Sequence, residues 1–179
     1  MPIRITGGML RGRNVPSPDT MKTRPTASRT REALFNILQN VDGYRMLDLF
    51  AGSGIMGLEA LSRGASNVTA VEMAHSQARV ILQAYKALAQ ESKLQLLETN
   101  ALSLKKEILC KDQGFDLIYA DPPFKDMDYP DLRPFIEWLN PGGVAVFEAP
   151  SRKIPEWAAE GAEVRRYGES SLLIYRASL

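Results

Sequence analysis

Apolar positions along this chain switch between two rhythms. Short runs at RMLDLF (45–50), NVTAVE (67–72), KLQLLE (93–98) and FDLIYA (115–120) have the length and composition of buried strands. Between them, GIMGLEALSRG (54–64), SQARVILQAYKALAQ (76–90) and SLKKEILC (103–110) space their apolar residues as helices do. YPDLRPFIEWL (129–139) continues as a helix kinked or restarted at Pro134. GGVAVFEA (142–149) is a further strand, RKIPEWAAE (152–160) a short helical piece, and AEVRRYG (162–168) with SSLLIYRA (170–177) a closing hairpin. Strands alternating with helices predict an α/β fold: a doubly wound, Rossmann-like parallel sheet of about seven strands with an antiparallel edge strand.

The front of the chain follows another pattern. In PIRITGGMLRGRNVPSP (2–18), Ile3 and Ile5 alternate with Arg4 and Thr6 around a Gly7-Gly8 turn, which predicts a β-hairpin. A helix follows, beginning at Pro25 and Thr26, with an apolar stripe at Ala33, Leu34, Ile37, Leu38 and Val41. The expected organisation is a basic hairpin arm over residues 1–24 and an α/β domain over 25–179.

Composition narrows the class. A chain of 179 residues with 45% hydrophobic content suits one domain with a small appendage. Cys110 is the single cysteine, so no internal disulfide forms and a reducing, cytoplasmic setting is expected. No apolar run approaches the roughly 20 residues of a membrane span, and the N-terminus lacks the apolar stretch of a secretory signal. The net charge of +1 conceals an asymmetry: residues 1–31 hold seven basic residues against Asp19 alone. That distribution fits an arm that contacts a polyanion, and equally a solvated arm that adds solubility.

In a doubly wound sheet, ligands bind at the carboxyl ends of the strands, so those ends are where chemistry is expected. The first strand runs through Asp48 into Ala51, Gly52, Ser53 and Gly54, and Gly52, Gly54 and Gly57 match the spacing of a glycine-rich ligand loop. A carboxylate at Asp48, near a buried strand end, needs a partner. Glu72 ends the second strand, where this fold presents an acid to the two hydroxyls of a ribose. Asn100 follows the third strand and is suited either to an adenine amino group or to capping a helix at Ala101. The fourth ends in Asp121-Pro122-Pro123-Phe124. Two prolines stiffen the turn, so the Asp121 carboxylate and the Pro122 carbonyl form a fixed pair of acceptors with the Phe124 ring beside them. Such a receptor suits a planar base carrying an exocyclic amine. His75, the single histidine, reads as a helix-start residue, and Cys110, Trp138 and Trp157 as packing residues.

DLFAGSG, Glu72 and DPPF resemble AdoMet-dependent methyltransferases that act on exocyclic amino nitrogens. RITGGMLRGRNVPSP, RPTASRTREALFNIL and LDLFAGSGIMGLEALSRGA are similar to the bacterial 16S rRNA (guanine-N2)-methyltransferase family. The resemblance runs from Arg4 to the closing strands and departs at Ser28, where relatives often carry an acid. It implies S-adenosyl-L-methionine as cofactor, with its methionine part near Asp48 and Ala51–Gly54, its ribose on Glu72 and its adenine near Met73, Asn100 and Ala101. It further implies a guanine of 16S rRNA, within the small ribosomal subunit, flipped into the Asp121–Phe124 pocket and methylated at N2. Asp121, Pro122 and Phe124 would be the catalytic residues, with Asp121 also touching the cofactor. Arg4, Arg11, Arg13, Arg24 and Arg31 would hold RNA phosphates. No metal is required, and a monomer is expected. Two alternatives stand beside this reading: a DNA adenine-N6 or other amine methyltransferase, and a non-catalytic RNA-binding assembly factor.

Charge reversal at Arg24 is expected to weaken RNA binding more than AdoMet binding, as measured by titrating each ligand separately. Equal losses would assign Arg24 a structural role.

Overall fold

The computed structural model describes residues 3–16, 25–123 and 129–179. At the front, β1 (Ile3–Arg4) and β2 (Asn14–Val15) pair antiparallel, with Ile3 opposite Val15. Helix α1 (Pro25–Leu38) follows. The α/β repeat then supplies β3 (Arg45–Asp48), α2 (Ile55–Ser62), β4 (Asn67–Val71), α3 (His75–Ala87), β5 (Leu94–Leu97), α4 (Lys106–Leu109) and β6 (Phe115–Ala120). The chain closes with β7 (Leu139–Pro150), β8 (Glu163–Tyr167) and β9 (Ser170–Arg176).

Seven of these strands form one sheet in the order β5-β4-β3-β6-β7-β9-β8. The pairs from β5 to β7 are parallel, whereas β9 runs antiparallel to both β7 and β8. The antiparallel strand therefore lies one place in from the edge, with β8 outside it. Burial explains the arrangement. Ser171 to Tyr175 of β9 are all buried and take the inner slot, while Glu163 to Arg166 of β8 are exposed and tolerate the edge.

Successive strand residues feed opposite faces. Met46, Leu117 and Val146 join a core with α1, α2 and α3, whereas Leu47, Ile118 and Ala145 join one built against Phe135, Trp138 and Ala158. The helix predicted over 129–139 is reduced to a 3₁₀ run, Arg133–Trp138, with Pro134 at its start. Pro134 has no N–H and disfavours helical geometry in the residue before it, so the helix cannot extend backwards. The tight winding sets Phe135 edge-on to Trp138, ring centroids 4.7 Å apart, and both are buried.

The hairpin is not a free arm. Ile3, Ile5 and Val15 are buried in the same core as Leu34, Phe35 and Leu58, so the boundary drawn at residue 24 does not separate two cores. Its anchor is Glu59 of α2, which is fully buried. The Glu59 carboxylate accepts from the Thr6 amide (2.9 Å), the Thr6 hydroxyl (2.6 Å) and the Gly7 amide (2.8 Å). It also pairs with the Arg31 Nε at 3.2 Å and the Arg63 guanidinium at 2.9 Å. Ser62 extends the clamp, donating to the Gly7 carbonyl and accepting from the Leu10 amide.

Glu59→Ala leaves the buried Arg31 guanidinium without its counter-charge, and removing one partner of a buried ion pair costs about 3–5 kcal/mol. Denaturant unfolding of the variant is expected to show a loss of that size. A loss below about 1 kcal/mol, the scale of an exposed ion pair, would show that the hairpin is held by apolar contacts alone.

Candidate active site at the strand ends

The carboxyl ends of β3, β4, β5 and β6 border a cleft of about 310 Å³, at the small end of the range for ligand sites. Gly52, Glu72, Met73, Asn100, Ala101 and Asp121 line it, so the structure brings six of the sequence-predicted residues to one wall. Ala51, Ser53 and Gly54 are buried in the turn behind Gly52. Phe50, Gln77, Thr99 and Pro123 also line the cleft. Phe50 sits inside the glycine-loop motif and Pro123 inside DPPF, so the motifs did carry that signal. Nothing in the local sequence singled out Gln77.

The turn adopts its shape because two glycines permit close packing. Gly54 has φ of +74°, and a Cβ there would come within 3.1 Å of the Tyr85 ring. A Cβ on Gly57 would collide with the Tyr85 hydroxyl. The glycines thus let α3 seat against the turn and α2.

Asp48 lies beneath this turn, 1% exposed, and among the described residues no side chain bonds its carboxyl, which only the Phe50 backbone amide approaches. Burial pushes its carboxyl up to about 8; nearby Asp121 and Glu72 add to the shift, and the Phe50 backbone amide opposes it. A buried acid without a side-chain partner is rare in a folded chain and is suited to a cationic or donor group arriving from the cleft.

Glu72 differs. Its two oxygens accept from the Gly52 amide at 3.0 Å and the Ala74 amide at 2.8 Å. The carboxylate is thereby fixed in orientation, and each oxygen retains a lone pair for one of two vicinal hydroxyls. Asn100 resolves toward capping: its Oδ1 accepts from the Leu102 amide at 2.9 Å and starts the 3₁₀ turn Ala101–Ser103. Met73 is 70% exposed at the cleft mouth, an apolar surface for a planar ring. His75 begins α3, as its sequence position suggested, and pairs with Glu98 at 2.8 Å.

Asp121 stands at the end of β6 with its side chain open to solvent. Crowding by protein and the neighbouring Glu148 push its carboxyl up to about 7, a shift that water at the open side partly screens. Pro122 is buried beside it, while Phe124 lies outside the described residues. Among the described residues, no group of three or more His, Cys, Asp or Glu is placed to hold a metal ion.

The arginines assigned to RNA divide into groups. Arg31 is a correction: it is 4% exposed, pairs with Glu59 and donates to the Arg4 carbonyl at 2.8 Å. It cannot grip phosphate, because its charge and donors are held inside the protein by an acid 28 residues away in the sequence. Arg4 is exposed and bonds the Asn14 side chain at 3.2 Å. Arg11 and Arg13 are exposed on the hairpin. Arg24 lies outside the described residues.

The sequence pattern of one protein family matches residues 3–176. The chain belongs to the family described as Conserved hypothetical protein 95. Ribosomal RNA small subunit methyltransferase D of Escherichia coli K12 is 40% identical over 124 residues, covering 69% of this chain and 61% of that protein. The chain thus matches about three fifths of that relative's length. A putative rRNA methyltransferase of Bacillus subtilis, YlbH, is 30% identical over 181 residues, covering 97% of this chain and 98% of that protein. The fold also matches a Thermus thermophilus 16S rRNA N2 G1207 methyltransferase, solved with AdoMet and guanosine. Its TM-score is 0.75 at 24% identity, covering 99% of this chain and 50% of that one.

Asp48 yields a stability signature. Its folded carboxyl titrates near 8 against an ordinary value of 3.8, so the folded state holds the extra proton between them. The Asp48 contribution to stability is then full below about 4 and is lost as pH rises toward about 8. Denaturation of Asp48→Asn across that range is expected to show a flatter dependence than the unaltered protein. Parallel curves would place the unusual titration elsewhere.

Proposed function

We propose that this chain transfers the methyl group of S-adenosyl-L-methionine to the exocyclic N2 of a guanine in 16S rRNA. The observation that carries the reading is one cleft lined by two acids in different states, with a third acid buried behind its glycine turn. Glu72 is fixed by two amides, Asp48 is buried without a side-chain partner, and Asp121 stands open at the rim. The names borne by the E. coli and B. subtilis relatives support the same substrate class.

The residues present fit that cofactor. Glu72 would accept from the ribose hydroxyls, Met73 and Ala101 would flank the adenine, and the glycine turn would admit the methionine part without a Cβ in the way. Asp48, buried behind that turn with its carboxyl pushed up to about 8, would add negative charge near the sulfonium if the bound cofactor drew off its proton. When bound, AdoMet supplies a methyl group already activated on a positively charged sulfur. The protein then has three tasks: to exclude water, to align the amine and to stabilise the charge that develops on it. The guanine N2 gives up one proton for the methyl it gains. The Asp121 carboxylate accepts a hydrogen bond from that nitrogen and can take the proton, its titration near 7 matching the task. Pro122 and Pro123 keep this acceptor from swinging away.

The exposed arginines Arg4, Arg11 and Arg13 on the hairpin supply positive charge for the RNA backbone. Within this reading the partner is the small ribosomal subunit, the compartment is the bacterial cytoplasm and the protein acts as a monomer. No helix among the described residues is long and apolar enough to cross a membrane.

The test uses labelled AdoMet with small-subunit particles, naked rRNA or duplex DNA. Label is expected in guanine of the RNA, and Asp121→Ala is expected to lower the rate roughly 100- to 10,000-fold, the range for a lost acid–base group. Label in DNA adenine, or full activity in the variant, would overturn the proposal.

A further inference from the structure

Glu148 stands where no part of the cofactor cleft reaches. It is absent from the cleft lining, yet β6 and β7 run parallel with Ala120 level with Phe147, so the next residues, Asp121 and Glu148, follow side by side. Neighbouring strands lie about 4.8 Å apart, and level residues of a parallel pair point to the same face. In the strand order β4-β3-β6-β7, Glu72, Asp48, Asp121 and Glu148 succeed one another. Glu148 is therefore on the side of Asp121 away from the cleft lined by Glu72.

Its carboxylate is held in place. The Tyr119 hydroxyl donates to Oε1 at 2.6 Å, and the Ser170 side chain donates as well. The Tyr129 hydroxyl donates to the Glu148 carbonyl at 2.7 Å and ties the backbone. Four lone-pair positions are available on a carboxylate, so two hydroxyls leave it able to accept more.

Resting on the guanine reading above, we infer that Glu148 is a specificity-determining residue that accepts a hydrogen bond from guanine N1–H while Asp121 accepts from the N2 amine. Guanine carries these two donors on adjacent atoms of one edge. Two adjacent carboxylates on a rigid strand pair match them donor for acceptor. Adenine carries an amine beside N1, which is an acceptor, so its N1 lone pair would face the Glu148 carboxylate and be repelled. The pair of acids thus selects guanine among amine-bearing bases without any contact to the rest of the ring. Burial raises the titration of Glu148, and burial together with the Glu148 charge raises that of Asp121, so N–H donors arriving at the pair favour its charged forms.

The test compares RNA bearing the mapped target guanine with the same RNA bearing 2-aminopurine there. 2-Aminopurine keeps the 2-amino group but has no hydrogen on N1. Single-turnover methylation by the unaltered protein is expected to favour guanine by on the order of 100-fold. Glu148→Gln offers an amide N–H to the bare N1, so its guanine to 2-aminopurine ratio is expected to fall at least tenfold, with AdoMet affinity unchanged. Tyr119→Phe, which frees Oε1 without altering the acid, is the second variant and should lower the ratio severalfold. Equal slowing of both RNAs in both variants, with the ratio preserved, would show that Glu148 merely supports the fold and would overturn the inference. No label in guanine with the unaltered protein would instead overturn the functional reading, and the inference with it.

Discussion

Parallel hydrogen bonding in register is the constraint on which this protein's chemistry rests. It brings the carboxyl ends of β4, β3, β6 and β7 to one line, and each of those ends carries an acid. Glu72, Asp48, Asp121 and Glu148 would repel one another if all were charged and empty-handed. The fold tolerates them because each is answered differently. Two amides hold Glu72, two hydroxyls hold Glu148, solvent reaches Asp121, and burial keeps the proton on Asp48.

Buried acids thereby separate into structural and functional kinds. Glu59 and Asp48 are equally inaccessible, but Glu59 is surrounded by donors from the hairpin, α1 and its own helix. A fully partnered carboxylate is a fastener. One without a side-chain partner, next to a cleft, stores a demand that a ligand can meet. The same reasoning divides the arginines. Arg31 belongs with Glu59 and the fold, whereas Arg11 and Arg13 remain on the surface, where a polyanion can reach them.

Much of this was legible in the chain. The alternation of short apolar runs with helical stripes marked the parallel sheet, and the positions of Asp48, Glu72 and Asp121 at strand ends followed from it. The segment 129–139 does restart helically at Pro134, but its apolar spacing suits an α-helix whereas Pro134 limits it to a 3₁₀ run. The antiparallel hairpin was read from its link. Which of its strands lies inside depended on how apolar each is relative to the other.

What the sequence by itself determined is local: strand and helix periods, the glycine turn, the stiff turn of Asp121-Pro122-Pro123, and the asymmetry of charge. These depend on residues within a few positions of one another. Tertiary structure decided what required distant partners. Arg31 became an anchor because Glu59 is fully buried against it. Gly57 became indispensable because the Tyr85 hydroxyl occupies the space of its missing Cβ. Glu148 became Asp121's neighbour because β6 and β7 align in register. A charge or a glycine reads the same in the chain whatever it will meet, and only packing supplies the partner that gives it a role.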